Sequence, residues 1–164
     1  MKNPTKPTNS RHFTDADAVV SALQPSYPVY CVRLRELQAS ARRFLDNFPG
    51  RVLYAVKCNP HPLVLRALFD AGIRDFDTAS LTEICAVKEI HEEANIFFMH
   101  PVKIRAEIST SYNVYGVSHF VIDDVGEFEK IKQETKNASG LVVMVRFSTP
   151  GGVARYELSQ KFGA

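Results

Sequence analysis

Apolar residues recur along this chain at two alternating periods. Leu34, Leu37, Ala41, Leu45 and Phe48 fall at helical spacing, and Pro49-Gly50 ends that pattern. From residue 51 onward, short β-rich apolar runs alternate with helical ones. The pattern predicts strands over 51–58, 73–77, 95–99, 118–122 and 141–147. Between them it predicts helices over 62–71, from Ser80 onward, over 102–112 and over 125–135. Gly72 stops the first of these, and Ser80 with Glu83 three residues on forms a capping-box pattern for the second. Upstream, Val29–Val32 reads as a brief strand, and Thr14 with Asp17 at the capping-box position opens a short helix to Leu23. Residues 1–12, rich in Pro, Thr, Asn and Lys, read as disordered. The expected organisation is a flexible tail and short helix over 1–24, then a βα domain over 25–164.

A βα repeat without insertions gives a parallel sheet with right-handed crossovers. Each predicted strand ends in a polar residue: Lys57, Asp77, His100, Asp123 and Arg146. These lie 20, 23, 23 and 23 residues apart (77−57, 100−77, 123−100, 146−123). A near-constant period with a polar group at each strand's C-terminal end is the signature of a (β/α) barrel mouth, where such folds build their sites. An open doubly wound sheet also binds ligands there, but it varies its crossovers more. Five βα units are visible, whereas a closed barrel has eight. The expected fold is therefore α/β, the N-terminal part of a parallel (β/α)8 TIM-type barrel.

Lys57 ends the first strand of the repeat. Leu53, Ala55 and Lys57 alternate onto one strand face, Val52, Tyr54 and Val56 onto the other, and Asn59-Pro60-His61-Pro62 breaks the run. A lysine in that place either snorkels to solvent or is an amine held in a cleft for Schiff-base chemistry. Position alone leaves both readings open.

Composition removes several function classes. A net charge of +2 is too small to argue for nucleic acid or an anionic membrane, and no apolar run approaches the roughly 18 residues of a membrane span. The N-terminus lacks the apolar core of a signal peptide. Cys31, Cys58 and Cys85 are odd in number and far apart, which suggests a reducing compartment, the cytoplasm, and neither a disulfide framework nor a metal site. Cys31 and Cys85 read as small buried apolar residues. Thr149-Pro150-Gly151-Gly152 is Gly-rich, but no helix start follows it, so it reads as a loop rather than a phosphate cradle.

Five segments carry a resemblance. Tyr54-Ala55-Val56-Lys57-Cys58-Asn59 resembles the cofactor-lysine motif of the ornithine decarboxylase family, pyridoxal-phosphate enzymes of the alanine-racemase-like barrel class. Phe76-Asp77-Thr78-Ala79-Ser80, Phe98-Met99-His100-Pro101-Val102-Lys103, Tyr115-Gly116-Val117 with Phe120–Asp123, and Lys161-Phe162-Gly163-Ala164 resemble further family segments, in the family's order. The likeness runs from Tyr27 to Ala164.

The resemblance implies a lyase of polyamine biosynthesis that uses pyridoxal 5'-phosphate to decarboxylate a basic amino acid, ornithine or lysine. It implies Lys57 as the Schiff-base lysine, with Asp77, Arg146 and Ala55 around the cofactor. Lys161 matches a family lysine at the interface of a homodimer with shared active sites. His100, where many relatives carry Asn, and Asp123 are expected as rim residues. An ion pair between Asp77 and Arg146 is the structural alternative to their cofactor role. Cys58 leans toward the ornithine, arginine and lysine branch, since diaminopimelate decarboxylases usually carry Ala there. Diaminopimelate decarboxylase, a racemase of the same class and a non-catalytic, antizyme-inhibitor-like relative are the alternatives. The family's phosphate loop, ring-stacking histidine and substrate-binding acids are expected beyond residue 164. The 164 residues are thus expected to be an N-terminal portion, inactive by themselves.

Overall fold

The computed structural model describes residues 11–148 and 162–164. The chain divides into two units, residues 1–33 and 34–164. In the first, α1 spans Ala16–Leu23. Its N-cap is Asp15, not Thr14: the Asp15 carboxylate accepts from the Ala18 N–H at 2.8 Å, and the Thr14 hydroxyl donates to Asp15 at 3.0 Å. Asp outcompetes Thr as a cap here because its two oxygens serve both donors. The brief strand expected at Val29–Val32 does not form; the segment has no regular secondary structure.

In the second unit, α2 (Leu34–Asn47) leads into five parallel strands in sequence order: β1 (Leu53–Ala55), β2 (Asp75–Thr78), β3 (Asn95–Phe98), β4 (His119–Ile122) and β5 (Val142–Val145). The crossovers are α3 (Pro62–Asp70), α4 (Leu81–Lys88), α5 (Arg105–Asn113) and α6 (Val125–Glu134). A sheet that adds each new strand beside the last, without reversal, is the barrel order and not the doubly wound one.

Strand alternation divides the sheet into two layers. Val56, Phe76, Ile96, Phe98 and Phe120 pack with Val64, Leu65 and Leu68 of α3, Ile84 and Val87 of α4, Ile108 of α5 and Ile131 of α6. This is the core between sheet and helices. The other face carries a row in direct register: Ala55, Asp77, Phe97, His119 and Val142. In a barrel that row faces the lumen.

Two local devices set where the chain enters α4 and leaves α3. Ser80 caps α4, its hydroxyl accepting from the Glu83 N–H at 3.3 Å. Glu83 reaches back to the Ala79 N–H at 2.8 Å, one residue before the ideal capping-box partner. Gly72 ends α3 at φ +115, a left-handed conformation that any side chain would strain.

Helix α5 starts at Arg105, three residues later than the sequence pattern places it. The cause is Lys103, which occupies the intervening loop as a buried anchor.

Candidate active site

The mouth lies at the C-terminal ends of the five strands. At β1 the strand stops at Ala55, and Val56–Cys58 form a single 3-10 turn, closed by the Asn59 N–H on the Val56 carbonyl at 3.1 Å. This corrects the expected strand over 51–58. Val56 is fully buried and pins the turn to the core, while the Asn59-Pro60-His61-Pro62 breaker redirects the chain into α3. Asn59 Oδ1 accepts from the His61 N–H at 3.1 Å, and His61 Nδ1 caps α3 at the Leu63 N–H, 3.2 Å away. The Tyr54 hydroxyl donates to the Asn59 carbonyl at 3.2 Å. Lys57 is thereby exposed on a turn held from both sides. Its amine has no hydrogen bond or salt bridge among the described residues.

Asp77 sits on β2 directly across from Ala55. It is half-buried, and burial pushes its carboxyl above the ordinary value; Lys57 pulls it back down and Glu83 pushes it further up. Asp77 thus senses the charge of Lys57. Ala55, across from Asp77 and two residues before Lys57, presents only a methyl group on that face.

Arg146 follows β5 by one residue, and its guanidinium lies 5.1 Å from the centre of the Phe162 ring. The alternative ion pair with Asp77 is not formed. His100 follows β3; its Nδ1 accepts from the Val102 N–H at 3.2 Å, and its ring meets Phe162 edge-on at 5.8 Å. Asp123 follows β4 and accepts from the Gly163 N–H at 3.3 Å. Ala164 exchanges backbone hydrogen bonds with Arg146 and Ser148, at 2.9 and 3.1 Å. Phe162–Ala164 are therefore seated on the ends of β3–β5, and His100, Asp123 and Arg146 support that segment. Lys161 and Thr149–Gly152 lie outside the described residues.

Two groups escape a sequence reading. Lys103, seen only as part of a motif, is buried: its Nζ donates to the carbonyls of His100 (3.0 Å), Pro101 (3.1 Å) and Val121 (2.7 Å) and pairs with Glu127 at 3.0 Å. It ties the loop after β3 to β4 and α6. Below the mouth, Arg51 grips buried Asp75 through Nε (2.6 Å) and Nη2 (3.0 Å), and Asn95 donates to the same carboxylate at 2.8 Å. β2 reads Asp-Phe-Asp-Thr, so the charge of Asp75 carried no distinguishing signal. The cysteines depart from expectation too: Cys31 is exposed, and Cys85 is half-buried, its thiol 3.1 Å from the Tyr115 hydroxyl.

The donor set fits an aldehyde cofactor: an uncommitted primary amine on a fixed turn, a carboxyl whose charge it influences and a small residue across from that carboxyl. A parallel βα barrel with such a lysine at the end of its first strand defines a class of cofactor-binding barrels. Residues 34–164 match the family described as "Pyridoxal-dependent decarboxylase, pyridoxal binding domain", and the chain belongs to that family.

Its relatives include an ornithine decarboxylase of Panagrellus redivivus, 36% identical over 67% of this chain and 24% of the relative. A lysine/ornithine decarboxylase of Selenomonas ruminantium is 32% identical over 69% of this chain and 28% of the relative. Among solved structures, the Paramecium bursaria Chlorella virus arginine decarboxylase bound to agmatine superposes with a TM-score of 0.76 at 25% identity, covering 90% of this chain and 39% of that one. The Vibrio vulnificus lysine/ornithine decarboxylase complexed with putrescine gives 0.72 at 28% identity, over 90% and 37%. The chain spans about a quarter of the length of these curated relatives. The five-stranded sheet is the N-terminal part of their barrel.

Proposed function

We propose that this chain is the lysine-bearing part of a pyridoxal 5'-phosphate-dependent decarboxylase acting on ornithine or lysine, with putrescine or cadaverine as product. The observation that carries the reading is the uncommitted Lys57 amine on its pinned turn, beside half-buried Asp77, in a pyridoxal-binding family domain. Bound pyridoxal phosphate supplies an electron sink for the pair left behind as carbon dioxide departs.

The chain's own residues do the holding. Lys57 offers the amine that fastens the cofactor aldehyde, and it acts in its neutral form. Asp77 opposes the positive charge that Lys57 carries at rest. Ala55, a member of the lumen row, presents only a methyl group there. Arg146 supplies a fixed cation at the β5 side of the mouth. Lys161 belongs to a homodimer interface in this reading, and residues 25–164 form an incomplete barrel domain that further chain closes. The exposed thiols of Cys31 and Cys58 suit a reducing, cytoplasmic setting; no helix among the described residues is long and apolar enough to cross a membrane.

The test uses the protein purified from its native gene. Borohydride reduction followed by peptide mapping should place a pyridoxyl group on the peptide containing Lys57 and on no other. Separate incubation with ornithine, lysine, arginine and meso-diaminopimelate should release carbon dioxide and a diamine from ornithine or lysine. A pyridoxyl group on another peptide, or turnover of diaminopimelate alone, would overturn the reading.

A further inference from the structure

Arg146 is held at three points. Its backbone N–H donates to the Ile122 carbonyl at 2.8 Å, at the end of the β4–β5 ladder. Its carbonyl accepts from the Ala164 N–H at 2.9 Å, and the Ala164 carbonyl accepts in turn from the Ser148 N–H at 3.1 Å. Two bonds that straddle Phe147 in this way make one rung of a parallel ladder. The third point is the side chain: the guanidinium lies over the Phe162 ring, 5.1 Å from its centre. Alternation from Val142 puts that side chain on the lumen face. It is exposed, and among the described residues it forms no salt bridge.

Phe162 is seated from its own backbone. Gly163, the next residue, has φ +128, which a side chain would strain. A Cβ there would run into Ser148 N and stand 2.8 Å from both the Phe147 carbonyl carbon and Ser148 Cα. All three are backbone atoms and cannot swing aside. The Gly163 N–H donates to Asp123 Oδ2 at 3.3 Å. The His100 ring also meets Phe162, edge-on at 5.8 Å, and His100 is itself fixed by the Val102 N–H on its Nδ1.

We propose that Phe162 is a positioning residue for Arg146: the close approach of Gly163 to the chain leaving β5 sets the ring against Arg146, and the ring keeps the guanidinium at the mouth as a fixed cation. An exposed arginine otherwise spreads over many rotamers. An aromatic face orients the guanidinium by its quadrupole and adds no charge of its own. A carboxylate in the same place would also orient it, but would cancel the charge that an incoming anion is to meet. A guanidinium held by a ring stays available to the anionic groups of a cofactor or an amino acid. That use of Arg146 rests on the function proposed above; the dependence of Arg146 on Phe162 and Gly163 does not.

The test uses the native-gene protein with nitrogen-labelled arginine. The heteronuclear NOE of the Arg146 Nε–H reads its order, its signal being assigned by its loss in Arg146→Lys. Equilibrium dialysis reads the affinity for pyridoxal phosphate. Phe162→Leu keeps an apolar side chain and removes the ring. The Arg146 NOE should fall to that of an unrestrained side chain, and the dissociation constant should rise about two- to fivefold, the worth of one exposed cation–ring contact. Phe162→Tyr keeps the ring and should hold both readings at the parent values. Gly163→Ala keeps the ring but forces it from its seat, and should reproduce Phe162→Leu; if it does not fold, the two Phe162 variants, which alter no backbone, carry the test. An unchanged Arg146 NOE in Phe162→Leu overturns the proposal, as does a Phe162→Tyr variant as loose as Phe162→Leu, which would mark a packing role. Unchanged affinity beside a fallen NOE, or no uptake of pyridoxal phosphate at all, would count against the proposed function and not against this coupling.

Discussion

Lys103 Nζ lies 3.0 Å from Glu127 Oε1, and both side chains are buried. Three backbone carbonyls accept from the same ammonium, so its three protons are shared among four acceptors. Burial pulls Lys103 below the ordinary lysine value and Glu127 lifts it back only in part. The full set of acceptors still favours the charged amine, since a neutral one could not serve them. Lys103→Met keeps the stem and removes the charge. It leaves Glu127 with Lys130 as its remaining cation and strands the carbonyls of His100, Pro101 and Val121. Breaking a buried pair in this way costs about 3–5 kcal/mol. Chemical denaturation of the parent and variant measures it; a loss below ~1 kcal/mol would show that the loop after β3 does not depend on this anchor.

The same pair makes a statement about acid. Burial pushes the Glu127 carboxyl up, but the hydrogen bonds from Lys130 and Lys103 outweigh it and hold Glu127 below the ordinary carboxylate value. A group whose folded-state value is depressed contributes stability above its unfolded value and loses it as pH falls through the folded one. Stability should therefore fall below about pH 4.5, the ordinary glutamate range. Glu127→Gln should be less stable than the parent at neutral pH, and the gap should narrow as pH drops. Equal pH slopes in the two proteins would assign the acid sensitivity elsewhere.

Asp77 works in the opposite sense. Its carboxyl is raised, chiefly by burial, so ionising it costs folding free energy as pH rises through its titration. Asp77→Asn should thus be at least as stable as the parent at pH 7. It should also hold pyridoxal phosphate on the order of tenfold more weakly, the effect of one charge pair near a protein surface. Thermal melts and equilibrium dialysis separate the two outcomes. A variant that is both less stable and unchanged in affinity would make Asp77 a structural residue.

How far the chain could be read in advance follows from what each element depends on. The sheet order and four crossovers were legible because a period of about 20 residues, alternating β-rich and helical runs, is a local property. Lys57 and Asp77 were legible as mouth residues for the same reason. The turn at Val56–Cys58 was not, because it is set by the burial of Val56 against the helix layer, and strand-like Val-Lys-Cys carries no local sign of it. Val29–Val32 shows the converse: β-prone residues form no strand when no neighbouring strand receives them. Lys103 and Arg51 were missed as anchors because their charged partners, Glu127 and Asp75, each lie 24 residues away. Local patterning is blind to such pairs; only the fold brings them together.

The exposed surface of the sheet leads to the last prediction. Among the described residues β1 pairs only with β2, and β5 only with β4. Ala164 meets the chain beyond β5, at Arg146 and Ser148, and leaves Val142–Val145 without a second strand among the described residues. Val142 and Val145 are 43% and 48% exposed, and Phe147 is 73% exposed. Unpaired strand edges flanked by apolar side chains are templates for pairing with another chain, and contiguous apolar patches seek partners. Each large aliphatic side chain left in water forgoes roughly 1.5–3 kcal/mol of burial, against a typical domain stability of about 5–15 kcal/mol. Residues 1–164 expressed by themselves should therefore self-associate, bind a hydrophobic dye and unfold over a broad range. Size-exclusion chromatography and calorimetry provide the measurement. A monomer with a sharp cooperative transition would show that the sheet edges are covered within these 164 residues.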